Sequence, residues 1–129
     1  MATGPWNSFV PLGKLTITAA GTTTSLAANC GPLAGQVSGT QASPNRLGQA
    51  LRGIELQADS ANSGNIYLLP RGYTAAGNPG LIMAKIGPGG SLPFPASQMV
   101  GGGFVPENFV LDTDAGSGDQ HVYGYGTLA

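Results

Sequence analysis

Charged side chains are scarce in this sequence of 129 residues. Lys and Arg number 5 and Asp and Glu number 6, which makes 9% of the chain charged and gives a formal net charge of -1. Such a composition provides no basic surface for nucleic acid, and we expect no nucleic-acid partner. A folded chain of this size exposes roughly 6,000 Å², or about 550 Å² for each charge. We therefore expect copies of the chain or another protein to cover much of the surface.

Cysteine and histidine occur once each, as Cys30 and His121. A lone cysteine excludes an internal disulfide and a multi-cysteine zinc site, and we interpret Cys30 as a buried or half-buried thiol. No G-x-S-x-G motif is present, so a Ser-His-Asp set would have to be built around His121. We predict no enzymatic activity, assign no catalytic or cofactor-binding residue, and expect no cofactor.

Long apolar runs are also missing. No stretch approaches the 18 apolar residues typical of a membrane helix, and we expect no membrane partner. Residues 1–13 contain no Lys or Arg and are interrupted by Pro5 and Pro11, a pattern that predicts no secretory signal. We expect synthesis in a reducing cytoplasm.

Glycine and proline are abundant, with 22 and 10 residues, and 41% of the chain is hydrophobic. These values predict a compact, turn-rich fold. Alternating segments predict strands with one solvated face at 14–18, 53–58 and 120–125, and runs that are apolar on both faces predict doubly buried strands at 65–69, 81–86 and 108–111. Weaker strand patterns occur at 25–28, 36–38 and 91–94.

Eight or nine short strands separated by turns predict an all-β fold, an antiparallel β-sandwich of jelly-roll or Greek-key type. The only candidate helix is a single turn at 44–52, where Leu47 and Leu51 are four residues apart. We place the sandwich at 14–129 as one domain.

Residues 1–13 combine prolines with apolar side chains, which predicts an extended N-terminal arm. The arm either docks on a partner or folds back over its own sheet. Our candidate contact residues are the apolar side chains of the arm and two later aromatics: Trp6, Phe9, Val10, Leu12, Tyr73 and Phe104.

Three carboxylates, Asp112, Asp114 and Asp119, surround a glycine turn. A hard cation such as Ca²⁺ favours oxygen ligands in such a loop. The loop departs from the EF-hand pattern, because Gly116 occupies the third ligand position and no Glu ends it. A polar connection stabilised by Asx turns explains the same residues, and we assign no metal ligand.

Four tyrosines are candidates for lining a sugar site: Tyr67, Tyr73, Tyr123 and Tyr125. Tyr123 and Tyr125 share one face of a predicted strand, and this pattern favours packing in a core or an interface.

One segment has a distinctive pattern, Q-A-D-x-x-N-x-G-x-I-Y, between two predicted strands. It begins at Gln57 and ends at Tyr67. This segment resembles a pattern in small structural proteins of tailed bacteriophages. The order of the later elements is also similar: an apolar strand at 81–82, a glycine-rich turn at 87–92 and the segment 109–114.

The resemblance implies a non-enzymatic virion protein of jelly-roll type that decorates and cements the capsid shell. The expected partners are the major capsid protein and further copies of the chain, as a homotrimer on the capsid exterior. Two other classes remain open. One is a tail, baseplate or fibre module that contacts host glycans, and the other is a free lectin-like sandwich.

Overall fold

A computed structural model describes residues 9–31, 43–46, 50–94 and 104–128. In these ranges the chain forms two antiparallel sheets of four strands and a short parallel pair, β3 with β4. The strands are β1 (Phe9–Ile17), β2 (Thr24–Ser25), β3 (Cys30–Gly31), β4 (Ser43–Arg46), β5 (Leu51–Ala58), β6 (Ile66–Pro70), β7 (Ala84–Ile86), β8 (Ser91–Phe94), β9 (Phe109–Thr113) and β10 (Gln120–Leu128). Among the described residues, 3₁₀ turns at Pro79–Leu81 and Pro106–Asn108 lie between strands.

The first sheet has the order β1-β10-β5-β8, and the second has the order β2-β9-β6-β7. One apolar core contains side chains from both sheets, because alternate residues of each strand point inward. Its fully buried members include Leu15, Ile17, Leu56, Ile66, Leu68, Leu111 and Val122. The predicted all-β sandwich is confirmed.

The second sheet is buried on both faces around β6 and β9. Leu69 and Val110 point away from the main core, yet they pack with Ala75 in a second apolar cluster. Ala75 belongs to the connection between β6 and β7, residues 71–83, which crosses this outer face. The apolar runs at 65–69 and 108–111 predicted this double burial.

The boundary of the predicted arm is wrong at residues 9–13, since these residues belong to β1 and pair with β10. A proline fits here because β1 is an edge strand of the first sheet, so Pro11 need not donate to a second neighbour. The register shifts between Pro11 and Gly13. Gly13 has a φ of +80°, which only glycine adopts readily, and it absorbs this bulge. Residues 1–8 lie outside the described residues.

The predicted helical turn at 44–52 is wrong at both ends, and residues 47–49 lie outside the described residues. Its first residues lie in β4 and its last two lie in β5. Leu51 and Phe104 exchange backbone hydrogen bonds of 2.7 Å in both directions, and Leu51 is completely buried. Long-range pairing and core burial therefore override the four-residue spacing of Leu47 and Leu51.

Candidate functional site

Residues 57–67, which we call the corner, carry the chain from β5 of the first sheet to β6 of the second. Asp59 accepts a hydrogen bond from the Ala61 N–H through Oδ1 at 3.0 Å, which lowers the pKa of the carboxyl group. The Asn62 side chain donates to the His121 carbonyl at 2.9 Å and accepts from the His121 N–H at 2.8 Å. This amide takes the place of a strand neighbour at the start of β10.

Gln120 closes the other side of the corner. Its Oε1 accepts from the N–H groups of Ser63 and Gly64, at 2.8 and 3.1 Å, and its Nε2 donates to the Gly118 carbonyl at 3.1 Å. A Cβ on Gly64 would lie 2.8 Å from Ala115. The residues that carry the resemblance therefore fix the corner against the start of β10. Sequence reasoning missed Gln120, whose only signal was a polar residue at an inward strand position.

The three carboxylates of the candidate cation loop point to different partners. Asp112 is buried and accepts from the N–H groups of Gly21 and Ala75, both at 2.8 Å. Asp114 accepts from the Asn65 side chain and N–H, and these hydrogen bonds lower its pKa. Asp119 is exposed. Among the described residues, no three acidic, histidine or cysteine side chains form a group that could hold a metal ion.

The contacts of His121 and the burial of Cys30 are those of residues that serve the fold. Nδ1 of His121 is hydrogen-bonded to Oγ1 of Thr16 at 3.1 Å, across the pairing of β1 with β10. Burial raises the pKa of Cys30 to about 11, which leaves almost none of the reactive thiolate at neutral pH. Cys30 is half-buried, in agreement with its interpretation as an ordinary thiol.

The candidate contact residues of the arm divide between the strand and the region outside the described residues. The backbone of Phe9 and Val10 belongs to β1, and the structure does not describe their side chains. The expectation that Leu12 contacts a partner is wrong. Its side chain points into the core beside the bulge and is 0% exposed. Trp6 lies outside the described residues.

The two later candidates have opposite environments. Phe104 is a second correction, because it is buried and stacks on Phe109 with ring centroids 4.2 Å apart. Tyr73 is 41% exposed. The structure therefore keeps Tyr73 as a surface candidate and assigns Phe104 to the core.

The connection from β6 to β7 exposes further apolar side chains that sequence reasoning missed. Leu81 and Met83 are 41% and 47% exposed. We expected a buried strand over 81–86, but the ladder contains only Ala84–Ile86, after a 3₁₀ turn at Pro79–Leu81. Pro79 supplies the fixed φ of this turn. Tyr73, Leu81 and Met83 together form what we call the apolar connection.

Among the residues whose burial the structure describes, the outer face of the first sheet carries two further large exposed hydrophobic residues. Tyr123 and Tyr125 are 43% and 40% exposed on β10. Their neighbours on β5 are Gln57 and Glu55. Of the two expected roles, packing in the core of this chain is excluded by this exposure, because the inward positions of β10 hold Gln120, Val122 and two glycines; packing in an interface stays a prediction.

The part of the chain that the structure describes has no helix with the length and hydropathy needed to cross a bilayer. Comparison with protein-family models, curated proteins and solved structures finds no match.

Proposed function

We propose that this chain is a non-enzymatic structural protein of a bacteriophage virion, which decorates the capsid exterior and cements it by bridging major capsid protein subunits. The observation that carries the proposal is the apolar connection on a weakly charged molecule. Tyr73, Leu81 and Met83 are each at least 41% exposed, and only 9% of the chain is charged. Apolar and aromatic side chains of this kind dominate binding energy when a partner covers them.

The finer fold assignment is part of this proposal, namely that the sandwich is a jelly roll. Four antiparallel pairs are nested along the chain: β1 with β10, β2 with β9, β5 with β8, and β6 with β7. This is the pairing of one long hairpin. Rolling that hairpin up adds contacts between β10 and β5 and between β6 and β9, and produces the two-sheet form found in many capsid domains.

The residues of the phage-like segment also support the proposal. Three residues of the segment close the corner. Asp59 accepts a hydrogen bond from the Ala61 N–H, the Asn62 side chain bonds the backbone of His121, and the backbone at Gly64 comes close to Ala115. In this proposal the segment fixes the corner of the sandwich, while the contact with the shell is assigned to other residues.

We assign the assembled form as a homotrimer, because a threefold protein matches a site where three shell subunits meet. Repetition over a symmetric shell then turns a modest contact into strong overall binding. Size-exclusion chromatography with light scattering should give three times the chain mass, and a stable monomer at high concentration would contradict this assignment.

The test of cementing uses shells that lack the chain. Purified protein is added, the shells are sedimented, and bound copies are counted by quantitative gel analysis. The double variant Leu81→Ser, Met83→Ser should lower the affinity for shells at least about tenfold, as expected for central contact residues. The matched control is Tyr123→Ser, Tyr125→Ser, which changes two equally exposed residues on the other sheet. Equal shell binding by the wild type and the Leu81, Met83 variant would refute the assigned surface.

A further inference from the structure

The second half of β10 alternates tyrosine and glycine. Gly124 and Gly126 face the core, where a Cβ on Gly126 would lie 2.7 Å from Leu51 Cδ1. Leucines of the neighbouring strands fill that space, and the tyrosines point to solvent. Residues two apart on such a strand are about 7 Å apart on the same face. Tyr123 and Tyr125 therefore form an adjacent aromatic pair that the core does not use.

Polar groups hold this pair in place. The Tyr123 hydroxyl donates to Oδ2 of Asp59 at 3.3 Å. Tyr125 lies directly across from Glu55, and the side-chain hydrogen bond between them raises the pKa of the Tyr125 hydroxyl. Each ring is thus tied to a carboxylate of the corner or of β5, which reduces the entropy lost when a ligand covers the rings.

Two depressions open beside the tyrosines, toward β5. The one beside Tyr123 has a volume of about 380 Å³ and is lined by Gln57, Ala58, Asp59, Ser60 and Gly89. The one beside Tyr125 has a volume of about 270 Å³ and is lined by Gly53, Ile54, Glu55, Pro93, Gly126 and Thr127. The first volume lies near the lower end of the range for ligand pockets and the second lies just below it, so each depression suits one small ring.

Charged groups of both signs flank the pair, so the surface offers both donors and acceptors of hydrogen bonds. Lys14 lies across from Tyr123 on β1, while Asp59 and Glu55 stand on the other side of the pair. A hydroxyl group both donates and accepts hydrogen bonds, so it can donate to a carboxylate and accept from the Lys14 ammonium or the Gln57 amide.

We propose that this outer face binds a neutral glycan, with successive sugar rings stacked on Tyr123 and Tyr125 and their hydroxyls bonded to Gln57, Asp59 and Glu55. The apolar C–H face of a sugar ring packs on an aromatic ring. The hydroxyls of the sugar meet the polar side chains around the tyrosines. The site lies on the sheet opposite to the one that carries the apolar connection. It therefore stands independently of the proposed shell contact.

The test is native affinity electrophoresis of the full chain in gels that contain a soluble α-glucan, β-glucan, mannan or galactan. We expect at least one polymer to retard the protein. Calorimetry with oligosaccharides of that polymer should then show about a tenfold loss of affinity for each tyrosine changed to alanine. Gln57→Ala, at an exposed position that the fold does not need, should also weaken binding.

Tyr73→Ala is the matched control, because Tyr73 is equally exposed but belongs to the apolar connection, and it should bind as the wild type does. Affinity for a neutral ligand should change less than about twofold between 50 and 500 mM salt. Retardation by none of the four polymers would overturn the proposal. Wild-type affinity in the Tyr123→Ala, Tyr125→Ala variant, or loss of binding in high salt, would overturn it as well.

Discussion

Replacement of Asn62 by alanine should destabilise the fold far more than a single surface change. The Asn62 side chain is 7% exposed and makes two hydrogen bonds of 2.8 and 2.9 Å with the backbone of His121. Each bond contributes about 1 kcal/mol, and the variant also leaves the N–H and carbonyl of His121 without their partner in a partly buried place. We expect a loss of about 2–4 kcal/mol in the free energy of unfolding.

Urea unfolding measures this loss. At an m value of about 2 kcal/mol/M, the midpoint should fall by about 1–2 M. Asn65→Ala is the matched control, because the Asn65 side chain also donates one hydrogen bond, at 2.9 Å, but to the exposed carboxylate of Asp114. Its cost should stay below about 1 kcal/mol. If Asn62→Ala costs no more than Asn65→Ala, the corner does not depend on the Asn62 bridge.

Three other perturbations test separate parts of the fold. Gly126→Ala should lower the free energy of unfolding by about 1–3 kcal/mol, because the added methyl overpacks against Leu51. The control is Gly116→Ala, where the added Cβ meets no atom within 4 Å, and it should change the free energy of unfolding by less than about 0.5 kcal/mol. Equal effects of the two variants in urea unfolding would contradict the packing of β10. The pKa of Asp114 is lowered from 3.8 by its hydrogen bonds from Asn65, so its contribution to stability is present above pH 3.8 and is lost as the pH falls through the lower folded value. Asp114→Asn should therefore lose less stability between pH 6 and pH 2 than the wild type does. An equal loss would refute this role of Asp114. Cys30, with a pKa near 11 against a reference of 9.0, should react with iodoacetamide at pH 8 about 100-fold more slowly in the folded protein than in urea, whereas equal rates would refute its burial.

Strand positions were accessible from the sequence because they depend on local patterns. The alternation at 53–58 and 120–125 and the apolar runs at 65–69 and 108–111 all correspond to observed strands. Burial of one or both faces imposes these patterns on neighbouring residues, so a short window is enough to read them.

Long-range pairing was not accessible in the same way. Asn62 and His121 are separated by 59 positions, and no local pattern marks the amide as a bridge to that strand. The helical turn predicted at 44–52 is wrong at its C-terminal end for the same reason, because Leu51 pairs with the distant Phe104. Tertiary contacts decide between local alternatives of similar free energy.

Exposure of individual side chains also depended on the fold. Leu12 and Leu81 are equally apolar, yet the first lies in the core and the second is 41% exposed. Leu12 occupies an inward position of a long strand, while a 3₁₀ turn removes Leu81 from the ladder. The apolar connection could be located only after this distinction was known, whereas the shared face of Tyr123 and Tyr125 was visible in the alternation of their strand.

The proposal that the chain coats a capsid shell is tested most directly by the copy number of the chain in purified particles. Quantitative gel or mass-spectrometric analysis gives the ratio of this chain to the major capsid protein. A shell cement repeats with the symmetry of the capsid, so we predict hundreds of copies per particle in a fixed ratio to that protein. A few to tens of copies, confined to the tail, or complete absence from particles would contradict the account.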